Sequence, residues 1–135
     1  MLKQTLTAVA LFATFASSAF AGDPAAGEKD FKRCKACHSI IAPDGTAVQK
    51  GGKTGPNLYG VIGRALASED FKYSPSMVAA AAIVPVWDEA HVVAYVTDPT
   101  AWLKETLGDD SAKAAMTFKL KSGAEDMAAY LATFN

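Results

Sequence analysis

Two cysteines and a histidine fall within five residues, Cys34-Lys35-Ala36-Cys37-His38, in a chain with no other cysteine and one other histidine, His91. In a C-x-x-C-H run the two sulfurs lie one helical turn apart, where each can form a thioether with a vinyl group of haem. The next imidazole is then directed at the iron. Tethering of this kind keeps a large flat cofactor in a protein too small to enclose it. Three other chemistries use these residues less completely. A thioredoxin-like dithiol needs a βαβ setting, and no such pattern is visible. A zinc site needs a fourth strong ligand, and only His91 remains. A plain disulfide gives the histidine no role.

The second axial position decides what a haem here can do. With histidine and methionine both bound, iron passes electrons; with one site open, it can bind gases or peroxide. Four residues compete for that position: Met77, Met116, Met127 and His91. Met127 belongs to the apolar stripe of a C-terminal helix, and Met77 lies early in another helix, so both read as core. His91 falls in the first turn of a third helix and reads as surface. Met116 sits in a loop-like run, Lys113 to Lys119, from which it can reach the far haem face.

The elements that must position these residues are punctuated clearly. Asp23-Pro24, Ser74-Pro75 and Asp98-Pro99 each place a capping side chain before a proline at the first helical position. Asp88 opens a further helix, which should end near Asp98 because proline disfavours helical geometry in the residue before it. Gly108 is a suitable stop for the helix begun at Pro99. Ser122-Gly123-Ala124-Glu125 fits a capping box, ahead of Met127, Tyr130, Leu131 and Phe134 at helical spacing. The stretch from Ile40 to Phe71 is rich in Gly and Pro and shows no strand alternation. The expected fold is all-α: several helices and long loops wrapped around one covalent haem.

Length and charge bound the setting. Lys3, an apolar run from Leu6 to Phe20, and Ala19-Phe20-Ala21 read as an export signal, cleaved after Ala21. The run is too short and too rich in Ala, Ser and Thr to span a bilayer well. Removing it leaves 114 residues, 22–135, as one domain, with 12 basic and 14 acidic side chains. So small a net charge gives no reason to expect nucleic acid or an anionic membrane as partner. Its distribution is uneven: eight basic and four acidic residues lie between Lys29 and Lys72, against one lysine and six acids between Asp88 and Asp110.

Beyond the haem motif, several segments follow in a definite order. They are Lys53 to Arg64 (KTGPNLYGVIGR), Phe71-Lys72-Tyr73, Trp87, Tyr95 to Pro99 (YVTDP), and Met116-Thr117-Phe118-Lys119. In order and spacing these resemble the class I c-type cytochromes, in particular the bacterial cytochrome c2 group related to mitochondrial cytochrome c. The resemblance covers essentially all of 22–135. It implies the small class I cytochrome c fold, one haem c bound through Cys34 and Cys37, and iron held by His38 and Met116. It implies that the Pro56 carbonyl accepts from the free ring nitrogen of His38, an arrangement that orients such a ligand. Tyr73, Trp87 and Arg64 match positions that hold haem propionates, and Tyr95 one near the ligand sulfur. Leu58 would pack on the haem face, and Gly27 and Phe31 would meet the last helix near Tyr130 and Leu131. Two positions depart from the pattern. Ala114 replaces a threonine whose hydroxyl helps a propionate, and Ala115 stands where lysine or glycine is common. The loops 42–52 and 106–113 are longer than in the mitochondrial protein.

The resulting expectation is a monomeric one-electron carrier of the periplasm, not an enzyme and without stable membrane insertion. By resemblance, its donor is a cytochrome bc complex and its acceptor a photosynthetic reaction centre, a terminal oxidase, or a periplasmic reductase or peroxidase. Lys32, Lys35, Lys53, Lys72, Lys119 and Lys121 could ring the exposed haem edge and steer acidic partners. The competing expectation is a haem enzyme or a gas- or peroxide-binding sensor with the sixth site open.

Overall fold

Four of the five helices among the described residues begin at the predicted caps. In the computed structural model, which describes residues 22–135, α1 (Pro24–Asp30) starts with Asp23 accepting from the Ala25 amide at 2.9 Å. Ser74 accepts from Met77 N at 3.2 Å to open α2 (Pro75–Ala81). Asp88 accepts from His91 N at 2.7 Å at the head of α3 (Glu89–Thr97). Asp98 accepts from Ala101 N at 3.0 Å for α4 (Pro99–Leu107), which Gly108 ends at φ +61°. Each cap satisfies an amide that the helix cannot. The expected export segment, 1–21, and its cleavage point lie outside the described residues.

α5 (Ala124–Leu131) departs from expectation at its start. Its cap is Gly123, in the left-handed region at φ +79°, with no side-chain cap bond, so the capping box at Ser122 does not form. Glu125 is therefore one position too early to complete it. A side chain at Gly123 would also come within 2.8 Å of the Asp30 carboxylate. The next acid, Asp126, turns outward from its own helix and accepts from Asp23 N at 2.8 Å, joining the starts of α1 and α5.

A second difference lies in the Gly/Pro-rich stretch. β1 (Ile40–Ile41) and β2 (Ala47–Gln49) pair antiparallel, with Ile40 opposite Gln49 and Ile41 opposite Ala47. Strands of two and three residues are too short to show alternation. The turn makes the hairpin: Gly45 sits at φ +89°, and Asp44 accepts from Thr46 N at 2.9 Å. Asn57 braces it, bonding both the amide and the carbonyl of Ile41 at 2.9 Å. The fold is thus helical, with one minor sheet.

The tightest packing is where α1 crosses α5. Gly27 lets the backbones meet, because a Cβ there would lie 2.7 Å from the Asp126 carbonyl carbon and from Tyr130 Cβ. Phe31 and Tyr130 then pack edge to face at 5.9 Å. α3 lies on α5, and α4 contacts both α2 and α3. Phe31, Ile40, Leu103, Leu120 and Met127 are fully buried. None of the helices among the described residues is long and apolar enough to cross a membrane.

Candidate haem-binding site

The chain leaves α1 through a 3-10 turn, Phe31–Arg33, and keeps turning. Cys37 N and His38 N both donate to Cys34 O, at 3.1 and 2.9 Å. Cys34 and His38 are half-buried, Cys37 is exposed, and no disulfide joins the two cysteines. The following loop folds back over this turn, with Gly52 N donating to Lys35 O and Gly55 N to Cys37 O, each at 2.8 Å.

That loop fixes the imidazole. His38 Nδ1 lies 2.8 Å from Pro56 O, and only Nδ1–H can donate to a carbonyl, so Nε2 keeps its lone pair. Gly55 is packed against the ring; a Cβ there would fall 2.7 Å from Nδ1 and Nε2. Burial holds His38 below its ordinary pKa, opposed by the Pro56 bond, which favours the protonated ring. A neutral ring with a fixed lone pair is what a metal ligand requires. Burial also pushes the Cys34 thiol up to about 11, with Arg33 pulling the other way. A thioether has no proton to lose, so the same burial does not penalise it.

Cys34, Cys37 and His38 border a cavity of about 270 Å³, and Met116 lines the same cavity. Leu58, Val61, Met77 and Met127 make much of its apolar wall. Met77 and Met127 are therefore both core, as expected, and cavity lining. Met116 is half-buried in a loop tied down on both sides. Before it, Lys113 N donates to Ser76 Oγ at 3.3 Å and Ala114 N to Thr100 Oγ1 at 3.2 Å. After it, Leu120 N donates to Val96 O at 2.8 Å, and Lys119 pairs with Asp98 at 2.9 Å. His91 does not line the cavity. It is half-buried rather than on open surface, because its ring meets the edge of Trp102 at 5.9 Å.

The remaining predicted residues, Arg64, Tyr73, Trp87 and Tyr95, all line the cavity. Trp87 stacks on Trp102 at 5.4 Å and meets Tyr95 at 5.1 Å. Burial pushes the Tyr95 hydroxyl up to about 12, so it stays a phenol. Arg64 Nη1 donates to Tyr59 O at 3.2 Å and to Glu69 Oε1 at 2.9 Å. Tyr73 OH accepts from Glu69 N at 3.2 Å. Sequence reasoning passed over Glu69 and Trp102. Glu69 gave only a faint signal, an acid five residues after an arginine across a turn; Trp102 gave one as a second tryptophan on an apolar helix face.

A haem fits these walls. They are largely apolar, and the imidazole is cradled where Gly55 lacks a side chain. A haem brings four of its iron's ligands with it, so few protein donors are needed, and His38 and Met116 border the same cavity. A helical domain whose C-x-x-C-H histidine is held by a carbonyl, with a methionine lining the same cavity, marks the class of c-type cytochromes.

No protein-family model matches the chain. It is 55% identical over 134 residues to cytochrome c2 of Rhodobacter capsulatus, covering 98% of each chain. It is 51% identical over 134 residues to cytochrome c-550 of Paracoccus versutus, covering 92% of this chain and 87% of that one. The crystal structure of ferric cytochrome c-550 from P. versutus superposes with a TM-score of 0.81 at 54% identity, covering 84% of this chain and 98% of that one. For R. capsulatus cytochrome c2 the TM-score is 0.81 at 57% identity, with 83% and 97% covered. The chain belongs to the cytochrome c2/c-550 family of class I c-type cytochromes: it is an electron-transfer protein, not an enzyme, and binds one covalent haem c.

Proposed function

We propose that the chain carries single electrons in the periplasm, after export and cleavage at Ala21, with His38 and Met116 as the iron ligands. Its donor is a cytochrome bc complex; its acceptor is a reaction centre, a terminal oxidase or a periplasmic reductase. The observation that carries this reading is the cavity shared by Cys34, Cys37, His38 and Met116. When bound, haem supplies a ferric/ferrous couple that exchanges one electron. The protein's part is to hold everything around that couple still. Pro56 O keeps the His38 ring from turning, and the ties at Ala114 and Leu120 limit how far Met116 travels. Arg64, Tyr73 and Trp87 supply donors for propionates, which would otherwise be costly buried charges. Lys32, Lys35, Lys53, Lys72 and Lys121 are exposed and available to steer an acidic partner.

The visible spectrum of the purified protein, oxidised and reduced, with and without carbon monoxide, tests the ligand pair. A low-spin spectrum unmoved by carbon monoxide is expected, with Met116→Ala binding the gas and showing a lower reduction potential. A wild-type protein that binds carbon monoxide readily would favour the open-site enzyme or sensor, and an unaltered potential in Met116→Ala would remove Met116 as ligand.

A further inference from the structure

Arg64 is well buried for an arginine, with a side chain 14% exposed, and the acid against it is Glu69. The pairing is built by the turn between them. Ala67 takes a left-handed conformation at φ +52°, unusual for a residue with a side chain. Ser68 Oγ donates to Ala65 O at 2.6 Å, and Leu66 N to Pro85 O at 3.3 Å. Glu69 is thereby folded back so that its carboxylate meets Arg64 while its amide meets the Tyr73 hydroxyl. One residue thus touches two of the groups that line the cavity as polar donors.

The atoms used are informative. Both protein bonds of the guanidinium are made by Nη1, to Tyr59 O and Glu69 Oε1. Among the described residues Nε and Nη2 have no protein partner, and Arg64 lines the cavity. The guanidinium is therefore anchored at one nitrogen and retains donors for an anionic group inside. Glu69 itself lines a second, shallower cleft, with Lys53 and Asp70, which are of opposite sign.

We infer that Glu69 is a positioning residue that sets the haem's electron affinity by holding Arg64 and offsetting its charge. This rests on the reading of Arg64 as a propionate partner. A cation beside the haem disfavours the extra positive charge of ferric iron and raises the potential. A carboxylate held on that cation opposes it and lowers the potential. Glu69 is 36% exposed on its side chain, so solvent weakens its effect and the shift is modest.

Spectroelectrochemical titration of the holoprotein separates charge from structure. Glu69→Gln keeps the shape and removes the charge; it should move the ferric/ferrous equilibrium at pH 7 about threefold toward ferrous. Glu69→Lys should move it further in the same direction, Glu69→Asp should stay near the wild-type value, and Arg64→Gln should move it the other way. A Glu69→Gln potential equal to wild type, with Arg64→Gln shifted, overturns the role of Glu69 while leaving that of Arg64. Wild-type potentials in both overturn the reading of Arg64 as well. Gln and Lys variants that shift in opposite directions, or an Asp variant displaced as far as Gln, would mean that Glu69 acts through packing rather than charge.

Discussion

The α1–α5 crossing and the cavity beside it are assembled on different principles. At the crossing, protein meets protein: Gly27 admits the backbone of α5, Phe31 packs on Tyr130, and Asp126 closes the corner at Asp23. Around the cavity, loops and the inner faces of α2, α3 and α5 turn toward space that a cofactor fills. Gln49, whose side chain donates to Tyr130 OH at 2.9 Å, is one of the few links between the hairpin and α5. The first region is closed by its own packing. The second is tied by hydrogen bonds along its loops but leaves its centre to a cofactor, so the covalent bonds at Cys34 and Cys37 are expected to act as folding bonds as well as cofactor bonds.

Removing those bonds gives the largest effect. The Cys34→Ser, Cys37→Ser double variant is expected to lose the covalent haem and with it most of the ~5–15 kcal/mol that stabilises a domain of this size. Circular dichroism should show residual helix without a cooperative melt. Hydrogen exchange should show less protection in the loops 40–73 and 109–121 than in α1 and α5. Equal loss everywhere would break the division into two regions.

Gly27→Ala attacks the other region and should cost about 3 kcal/mol, because the new Cβ meets backbone atoms of α5 that cannot swing aside. Thermal melts of the holoprotein measure it. The visible spectrum of the folded fraction should change little, since neither Asp126 nor Tyr130, the residues the new Cβ meets, lines the cavity; a large spectral change would show the two regions to be coupled through their α5 neighbours Met127 and Leu131.

The smallest effect belongs to the surface beside the cavity. Lys35→Glu should slow reduction by an acidic redox partner at low salt by about three- to tenfold, an effect that fades as salt rises. Lys119→Glu should slow it comparably, because it removes the same two units of charge and leaves Asp98 beside a second acid. Stopped-flow rates across ionic strength decide the matter, and an insensitive Lys119 would place that side chain away from the docking surface.

The two regions were also unequally legible. Pro24, Pro75 and Pro99 behind short acceptors mark helix starts, because proline and a side-chain cap act within a few residues of chain. The C-x-x-C-H turn is legible for the same reason. The hairpin's turn at Asp44-Gly45 is local, but its strands are too short to alternate and are braced by Asn57 from outside them, and the start of α5 is tied to Asp23 far away in sequence. His91 is shielded by Trp102 on the next helix, and Glu69 reaches Arg64 only because Ala67 adopts a conformation that its residue type does not advertise. What failed to show in the sequence was what distant residues impose.

Met116 hangs on a short span between the bonds at Ala114 and Leu120. A side chain so tethered explores a small volume, and its effective concentration at any site it can reach is high. With Met116 as the proposed ligand, a sulfur that let go would return by a unimolecular swing rather than a search. An intruding small molecule would then have to outcompete a neighbour that never leaves. The loop works as a leash, making departure cheap to reverse without making the bond itself any stronger.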